Sequence, residues 1–376
     1  MSHPTHKKIG VIGLGIIGRG VTANLRRKGF QVFVWNRTPR PVPNFVGSPA
    51  ELAQLCDYIQ IFVSDDEALL ETVQRLSGKL APKHIVLAHS TVAPDSMRAA
   101  ADIIERGGAR FVDAPFTGSK LAAQKGELVF YVAGSKAALR EARPILEASG
   151  KQIIEIGAIS QATAIKIATN MITAASVQAL AEALALTQAL GVPVEKFVEA
   201  MEANASHSAT LAMKLPKITQ RDFEPHFSVK HMLKDMQIAN QLGLSHNLDL
   251  GVTAAARDRL LEQMQWGRGD EDISAVARKY FSEIDPANHA EPQAIAQDLQ
   301  ATADPTPPAP GMMSVSEEPK LHQETPIVAA VEPTAASSSG GKAKKEVQPR
   351  RGFLRQLVQR VRQLRKHSTA VSPKEG

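Results

Sequence analysis

The sequence contains a single cysteine, Cys56, among 376 residues. No disulfide can therefore form within the chain, which fits a reducing cytoplasm better than an oxidising compartment. The sequence also shows no signal-peptide pattern, because its first apolar run starts at Ile9 and glycines interrupt it from Gly13 onward. We therefore expect a cytoplasmic protein.

Long apolar runs and a basic body are also missing. No uninterrupted apolar stretch reaches the roughly 18 residues that a membrane span requires. The net charge of +6 is concentrated in residues 342–376, which hold 11 Lys or Arg against 2 Asp or Glu, so residues 1–341 are mildly acidic. A core that binds nucleic acid is therefore not expected.

The chain divides into regions of different pattern. Residues 1–157 alternate short apolar strands with helical patterns, which predicts an α/β Rossmann domain with a mostly parallel, doubly wound sheet. The predicted strands are 9–12, 31–35, 58–63, 84–88, 110–113 and 128–133. Residues 158–284 lack strand signals and are predicted to form an all-α domain for substrate binding and dimerisation. Residues 285–352 are rich in Pro, Ala, Ser, Glu and Gln, which predicts a disordered linker.

Residues 353–366 have the pattern of a short basic amphipathic helix. Six apolar side chains fall on one helical stripe, with arginines elsewhere; they are Phe353, Leu354, Leu357, Val358, Val361 and Leu364. Such a helix can lie on an anionic membrane surface or dock on an acidic partner. The alternative is a tail that folds back on its own domain or frays in solution.

A glycine-rich turn follows the first predicted strand and opens a helical pattern. It comprises Gly13, Leu14, Gly15, Ile16, Ile17 and Gly18. In this context the GxGxxG spacing predicts a dinucleotide site. Gly13 allows the tight turn, Gly15 lets the backbone approach a pyrophosphate, and Gly18 lets the helix pack close to the strand. The helix N-terminus then offers free N–H groups to the phosphates.

The end of the second predicted strand indicates which nicotinamide cofactor binds. A site for NAD places Asp or Glu about 20 residues after the glycines. Here Asn36 stands in that region, followed by Arg37 and Thr38. A neutral amide does not repel a 2′-phosphate, and the guanidinium of Arg37, assisted by Arg40, can bind it. The sequence therefore predicts NADP(H), with a solvated surface arginine as the alternative.

The segment after Thr38 departs from the usual plan. Prolines at positions 39, 41, 43 and 49 exclude a helix before Ser48. The stretch from Ser48 to Glu51 then has the pattern of a capping box with proline at the first helical position. We expect the usual crossover helix to be missing, the connection to be shorter and the adenine pocket to be more open.

One long helix is predicted between Gly157 and Gly191, because no glycine or proline interrupts it. It is apolar almost all round, which predicts burial and, with the helices after it, a homodimer or homotetramer. Lys166, Asn170 and Thr173 form a polar stripe at i, i+4 and i+7. A mid-helix lysine is usually solvated, but a buried ammonium needs partners or a function.

Over residues 8–283 the chain resembles the β-hydroxyacid dehydrogenases, a family that includes 3-hydroxyisobutyrate dehydrogenase, tartronate semialdehyde reductase and the glyoxylate/succinic semialdehyde reductases. The resemblance rests on residues 13–18 (GLGIIG), 113–119 (DAPFTGS), 166–170 (KIATN) and 227–236 (FSVKHMLKDM). Residues 35–38 (WNRT) and 117–120 (TGSK) are most similar to the glyoxylate/succinic semialdehyde reductase branch, which is NADPH-linked.

The resemblance implies roles at the reacting centre. Lys166 matches the catalytic lysine, which stabilises the charge on the substrate oxygen and donates a proton as general acid. Asn170 is implied to hold the same oxygen or a substrate hydroxyl. Thr117, Gly118 and Ser119 match the loop that grips the substrate carboxylate. The family usually has serine at the first of these positions, so the added methyl group of threonine bears on pocket size.

The resemblance also implies residues around the cofactor and substrate. Ser64 and Asp65, and Ser90 and Thr91, match loops that line the cofactor, and Lys234 matches a lysine that closes over it. Phe227 and Asp235 match positions near the substrate. Without the resemblance, Phe227 would be assigned to the core, and Lys234 with Asp235 to a solvated pair. His226 and His231 flank this motif without a metal-ligand partner at suitable spacing, and we expect no metal.

The implied activity is the NADPH-dependent reduction of glyoxylate or succinic semialdehyde to the hydroxy acid. One alternative is a 3-hydroxyacid dehydrogenase, like 3-hydroxyisobutyrate dehydrogenase, or a tartronate semialdehyde reductase. Imine reductases share the scaffold, but their usual replacement of the lysine argues against them here. An alternative of another class is a cofactor-binding scaffold recruited by its basic tail.

Overall fold

The computed structural model of the protein describes residues 7–281. The predicted linker at 285–352 and the predicted amphipathic helix at 353–366 lie outside the described residues.

A mostly parallel sheet forms the first half of the described chain. Within residues 7–281 it contains β1 (Ile9–Ile12), β2 (Val32–Trp35), β3 (Tyr58–Ile61), β4 (Ile85–Ala88), β5 (Arg110–Asp113), β6 (Phe116–Thr117), β7 (Leu128–Gly134) and β8 (Gly150–Gly157). The strand order is β2-β1-β3-β4-β5-β7-β6, and β8 pairs with β7. The first five strands are parallel, whereas β7 runs antiparallel to β5. The predicted Rossmann domain is therefore confirmed, and the direction of strand addition reverses at β1.

Helices cover both faces of this sheet, so its central strands are buried on both sides. They are α1 (Ile16–Arg27), α2 (Pro49–Leu55), α3 (Asp66–Ser77), α4 (Pro94–Arg106), α5 (Lys120–Lys125) and α6 (Lys136–Glu147). Burial on both faces explains why β1, β3 and β4 are almost uninterrupted apolar runs. Strand β8, which pairs with β7, was not predicted. Exposed polar residues such as Lys151 and Gln152 interrupt its apolar pattern.

The connection from β2 to β3 corrects one prediction. A crossover helix is present, but α2 has only 7 residues. Its predicted cap is confirmed: the hydroxyl of Ser48 accepts from Glu51 N at 3.1 Å, and the Glu51 carboxylate accepts from Gly47 N at 2.8 Å. The prolines delay the helix until this cap, and the preceding segment instead returns to the sheet, where Val34 bridges to Phe45.

The second half is helical, as predicted. Within the described range it comprises α7 (Gln161–Ala189), α8 (Val194–Glu202), α9 (Ala209–Thr219), α10 (Val229–Ser245), α11 (Gly251–Gln265) and a 3₁₀ helix (Ile273–Tyr280). Helix α7 contacts α9, α10, α11 and the 3₁₀ helix, which together enclose a second apolar core.

The predicted burial of α7 is only partly correct. One side is buried, at Val177, Leu180 and Leu184, but Ile172 and Leu186 are 69% and 62% exposed. The packed helices cover only one face of α7, so apolar residues on its other face stay exposed. The homo-oligomer stays a prediction.

None of the helices in residues 7–281 is long and apolar enough to cross a membrane.

A buried ion pair fixes the loop that leads into α10. The Nζ atom of Lys214 lies 2.7 and 2.8 Å from the two carboxylate oxygens of Asp272. The side chains of Lys214 and Asp272 are 5% and 0% exposed. One oxygen of Asp272 also accepts from the backbone N–H groups of His226 and Phe227. The pair thus anchors two segments to α9: the one before α10 and the one that carries Asp272 before the 3₁₀ helix.

We predict that Lys214→Ala destabilises the protein by about 3–5 kcal/mol, because it leaves the Asp272 charge buried without its partner. Lys196 is a matched control, since it forms a 2.7 Å ion pair with Glu199 on the surface. Lys196→Ala should cost less than about 1 kcal/mol. Urea unfolding of both variants measures the difference, and equal losses would contradict the role given to burial.

Candidate active site

A cleft of about 830 Å³ runs between the ends of the parallel strands and the helical domain. The glycine turn, the loops after β3 and β4, the β6–α5 loop, α7 and α10 form its walls. The residues on it that the sequence predicted as site residues are Gly15, Ile16, Ile17, Gly18, Ser64, Thr91, Thr117, Gly118, Ser119, Lys166, Asn170, Phe227, Lys234 and Asp235. The structure thus brings most of the predicted residues to one cavity.

The glycine turn is shaped by three different constraints. Gly13 has φ +94°, and a Cβ there would lie 2.0 Å from the carbonyl oxygen of Phe62. A Cβ on Gly18 would lie 2.0 Å from the carbonyl oxygen of Gly13, so α1 could not pack so closely. A Cβ on Gly15 would meet nothing within 4 Å, because Gly15 faces the cleft. Gly15 is therefore where a ligand can approach the backbone.

The N-terminus of α1 opens beside Gly15 and has no side-chain cap. Its first residues, Ile16, Ile17 and Gly18, line the cleft. Uncapped N–H groups and the positive end of the helix dipole bind phosphate groups. The residues present therefore fit the diphosphate of a dinucleotide.

Asn36 has a role that the sequence did not reveal. Its Oδ1 accepts a hydrogen bond from Leu14 N at 2.9 Å, and its Nδ2 donates to the Thr38 carbonyl at 2.8 Å. Asn36 therefore braces the glycine turn against the end of β2, and both ends of its amide are used within the chain. Arg37 and Thr38 are exposed beside it and do not line the cleft.

The loops after β3 and β4 are joined by Ser90. Its hydroxyl accepts from Val63 N at 3.0 Å and donates to Val63 O at 2.7 Å. Asp65 caps α3 by accepting from Ala68 N at 2.9 Å and does not line the cleft. Thr91 contributes its carbonyl oxygen, which accepts from the ammonium of Lys234.

Lys166 is half-buried in the cleft wall, on the second turn of α7. Burial lowers the pKa of Lys166 to about 8, with the Asp235 carboxylate opposing this shift and the Lys234 charge adding to it. Within residues 7–281 its ammonium makes no hydrogen bond or ion pair, so it is available to a ligand in the cleft.

Asp235 organises the groups around Lys166. It is only 1% exposed, and its two oxygens accept from Asn170 Nδ2 at 2.6 Å and from Lys234 Nζ at 2.7 Å. One carboxylate thus joins α7 and α10 on the wall that carries Lys166. The predicted alternative of a solvated Lys234–Asp235 pair is therefore wrong.

The loop from Thr117 to Ser119 requires glycine at its centre. Gly118 has φ +135°, and a Cβ there would lie 2.9 Å from Leu128 Cδ2. The hydroxyl of Ser119 accepts from Ala122 N at 3.4 Å and so caps α5. Thr117, Gly118 and Ser119 all line the cleft.

Asp113 is a site residue for which the sequence gave no role. It is fully buried at the end of β5, and its carboxylate accepts from Ser160 N at 3.0 Å and from Thr163 N at 3.1 Å. The Thr163 hydroxyl donates to it at 2.8 Å. Burial raises the pKa of Asp113 to about 6, and these donors oppose the shift, so the carboxyl is ionised at pH 7. It fixes the start of α7 one turn before Lys166.

Metal-ligating groups are not clustered in the described part of the chain. Among residues 7–281, no group of three or more His, Cys, Asp or Glu side chains could hold a metal ion.

Two family models cover the described chain. Residues 8–157 match the NAD-binding domain of 6-phosphogluconate dehydrogenase, and residues 160–280 match the NAD-binding region of NADP-dependent 3-hydroxyisobutyrate dehydrogenase. The fold and the site therefore define a two-domain protein of the NAD(P)-dependent oxidoreductase class, whose members act on hydroxyl groups.

Individual relatives agree with these matches. Glyoxylate/succinic semialdehyde reductase 1 of Arabidopsis thaliana is 31% identical over 280 residues, which are 72% of this chain and 96% of that protein. A structure of Mycobacterium tuberculosis 3-hydroxyisobutyrate dehydrogenase with L-serine has a TM-score of 0.67 at 25% identity, covering 73% and 98% of the two chains. The chain belongs to the β-hydroxyacid dehydrogenase family.

Other relatives are longer. The cytokine-like nuclear factor N-PAC of Gallus gallus is 32% identical over 288 residues, which are 74% of this chain. The chain spans about half the length of this relative, 52%.

We predict that Asp113→Asn loosens the start of α7. Asparagine keeps the size of the side chain but removes the negative charge from these hydrogen bonds, and its Nδ2 cannot accept from the Thr163 hydroxyl as the carboxylate does. Loss of one such charged hydrogen bond costs about 1.5–3 kcal/mol. Amide hydrogen exchange in residues 160–166 should therefore become at least about tenfold faster. Asp102→Asn, on the exposed face of α4, is the control; equal exchange in the two variants would refute the capping role.

Proposed function

We propose that this protein is an NADPH-dependent reductase of small aldehydes that carry a carboxylate, such as glyoxylate or succinic semialdehyde. The observation that carries the proposal is the ammonium of Lys166, which faces the cleft without a partner in the described chain. The similarity to the Arabidopsis reductase supports the substrate class.

The chain's own groups supply everything except the hydride, which NADPH delivers to the carbonyl carbon when it is bound. The Lys166 ammonium stabilises the charge that develops on the carbonyl oxygen and then donates its proton to that oxygen. Asp235 holds Asn170 and Lys234 in fixed positions beside it. The hydroxyl groups of Thr117 and Ser119 bind the carboxylate of a short substrate such as glyoxylate.

The pKa of Lys166 favours reduction over oxidation near neutral pH. With a pKa of about 8, most of the lysine is protonated at pH 7 and serves as an acid. The second candidate is a 3-hydroxyacid dehydrogenase, which needs the neutral amine as a base. The likeness to 3-hydroxyisobutyrate dehydrogenase supports this candidate, and the neutral amine that it needs becomes more abundant at higher pH. Reduction of tartronate semialdehyde would use the same groups as reduction of glyoxylate.

A candidate of another class is a cofactor-binding scaffold. Its support is the similarity to N-PAC, a protein named as a nuclear factor. A scaffold needs the glycine turn but has no need for a partly desolvated lysine, whose burial costs free energy. The unpartnered ammonium in the cleft therefore favours catalysis.

NADPH is proposed over NADH because no carboxylate stands at the end of β2. Asn36 is neutral, and Arg37 and Arg40 are exposed next to it, where a 2′-phosphate would lie. A solved relative binds NADP+, but at 20% identity it shows the fold alone.

We predict that kcat/KM for aldehyde reduction falls as pH rises through about 8, because Lys166 loses its proton there. Oxidation of the hydroxy acid should rise over the same range. Lys166→Ala should lower reduction by about 10²–10⁴-fold, the usual contribution of a general acid.

The control for this prediction is Lys136→Ala on the exposed face of α6, which should keep full turnover and the same pH profile. NADPH binding, measured by fluorescence, shows that Lys166→Ala remains folded. Full turnover by a folded Lys166→Ala variant would refute the mechanism.

We also predict that Arg37→Glu reverses part of the cofactor preference. A carboxylate there repels the 2′-phosphate, so KM for NADPH should rise by about tenfold or more while KM for NADH changes little. Arg140→Glu, on the exposed surface of α6, changes the net charge equally and is the control. An unchanged ratio of the two KM values in Arg37→Glu would show that Arg37 does not bind the phosphate.

A further inference from the structure

Helix α10 and the residues just before it present a stripe of side chains to the cleft. Phe227, His231, Lys234 and Asp235 all line it, and within α10 His231 lies three residues before Lys234 and four before Asp235, on the same helix face. Lys234 and Asp235 are bonded to each other and to the groups around Lys166. His231 is the polar member of this stripe that the proposed mechanism leaves unused.

The ring of His231 is held in place from two sides. Its Nδ1 lies 2.6 Å from the hydroxyl of Ser228. The ring also lies nearly parallel to that of Phe227, with an interplanar angle of 9° and centroids 6.4 Å apart. The Ser228 hydroxyl accepts no backbone N–H of α10, so the imidazole is its partner on this side. In the arrangement in which Ser228 donates its hydroxyl proton to Nδ1, the neutral ring carries its hydrogen on Nε2.

Two lysines on this wall are already paired with carboxylates. Lys214 is paired with Asp272, and Lys230 with Asp270. His226 also lines the cleft, but its Nδ1 is fully covered by protein. Nε2 of His231 makes no hydrogen bond within the described chain. Burial, followed by the charges of Lys230 and Lys234, lowers the pKa of His231, which keeps the ring neutral at pH 7.

The packing of α7 against α10 places His231 away from Lys166. Asn170 contacts Asp235, whereas Ala174 and Val177, further along α7, share a small cavity with Met232. Helices α7 and α10 therefore run antiparallel where they pack. His231 lies one turn, about 5.4 Å, beyond the level of Asn170 and Asp235, on the side opposite to Lys166.

We propose that Nε2–H of His231 binds the carboxylate of a four-carbon semialdehyde whose carbonyl lies at Lys166. This inference rests on the proposed reductase function and names the residue that selects the longer substrate. In succinic semialdehyde three C–C bonds, about 4 Å when extended, separate the carbonyl carbon from the carboxyl carbon, whereas glyoxylate has one bond of about 1.5 Å. The longer acid reaches toward His231, while the shorter one stays with the loop at Thr117 and Ser119.

The test compares three aldehydes with NADPH at pH 7: succinic semialdehyde, glyoxylate, and butanal, which has the four-carbon chain without the carboxylate. The variants are His231→Leu, which removes the donor, and His231→Gln, whose amide places a donor near the position of Nε2. His246→Leu is the matched control, because His246 ends the same helix on the exposed surface.

His231→Leu should lower kcat/KM for succinic semialdehyde by about 10- to 100-fold, mainly through KM, because it removes a hydrogen bond to a charged group. Glyoxylate and butanal should change by less than about threefold. His231→Gln should recover most of the loss, and His246→Leu should match the wild type. Equal losses on all three aldehydes, or no loss on succinic semialdehyde, would overturn the proposal.

A binding measurement separates this inference from the proposed function. If the wild type reduces none of the aldehydes, the reductase proposal fails. Calorimetry of 4-hydroxybutyrate with the NADP+-loaded protein then decides the role of His231. Weaker binding by His231→Leu than by the wild type would support the carboxylate contact, and equal or absent binding would overturn it.

Discussion

The carboxylate of Asp235 connects the parts of the site that have to act together. It is buried, it accepts from Asn170 on α7 and from Lys234 on α10, and Lys234 in turn donates to the Thr91 carbonyl after β4. The same carboxylate opposes the loss of charge on Lys166 that burial favours. Without it, two ammonium groups would face one another in a partly desolvated cleft, and the pKa of Lys166 would fall further.

A second buried carboxylate sets the position of the helix that carries Lys166. Asp113 accepts the first free N–H groups of α7 at the point where the sheet ends. It stands four residues before Thr117, so one short segment holds both the start of α7 and the loop assigned to the substrate carboxylate. The end of the sheet therefore sets the distance between Lys166 and this loop.

The sequence predicted features that depend on local chemistry. The glycine turn, the cap at Ser48 and the apolar central strands each follow from spacing or from a residue's conformational limits, and the structure contains all of them. Helix α2 begins at the cap that the sequence predicts, so the expected absence of a crossover helix is wrong: the prolines only delay this helix. The covered and uncovered sides of α7 could not be told apart, since its composition is apolar on both.

Features that depend on contacts distant in sequence were not predicted. Asp113 meets Thr163 across 50 residues, and Asn170 meets Asp235 across 65. Asn36 was assigned to the cofactor because its position matched a ribose-binding residue, whereas its amide is bonded to Leu14 and Thr38. His231 was considered only as a metal ligand, because the sequence alone does not show that it faces the same cleft as Lys166.

The most direct test is an NADPH-oxidation assay of the wild-type protein with glyoxylate, succinic semialdehyde and tartronate semialdehyde, repeated with NADH. A reductase with Lys166 as its acid consumes NADPH with at least one of these aldehydes and consumes NADH more slowly. Tight NADPH binding with no oxidation by any of the three would contradict the catalytic assignment and favour a cofactor-binding scaffold.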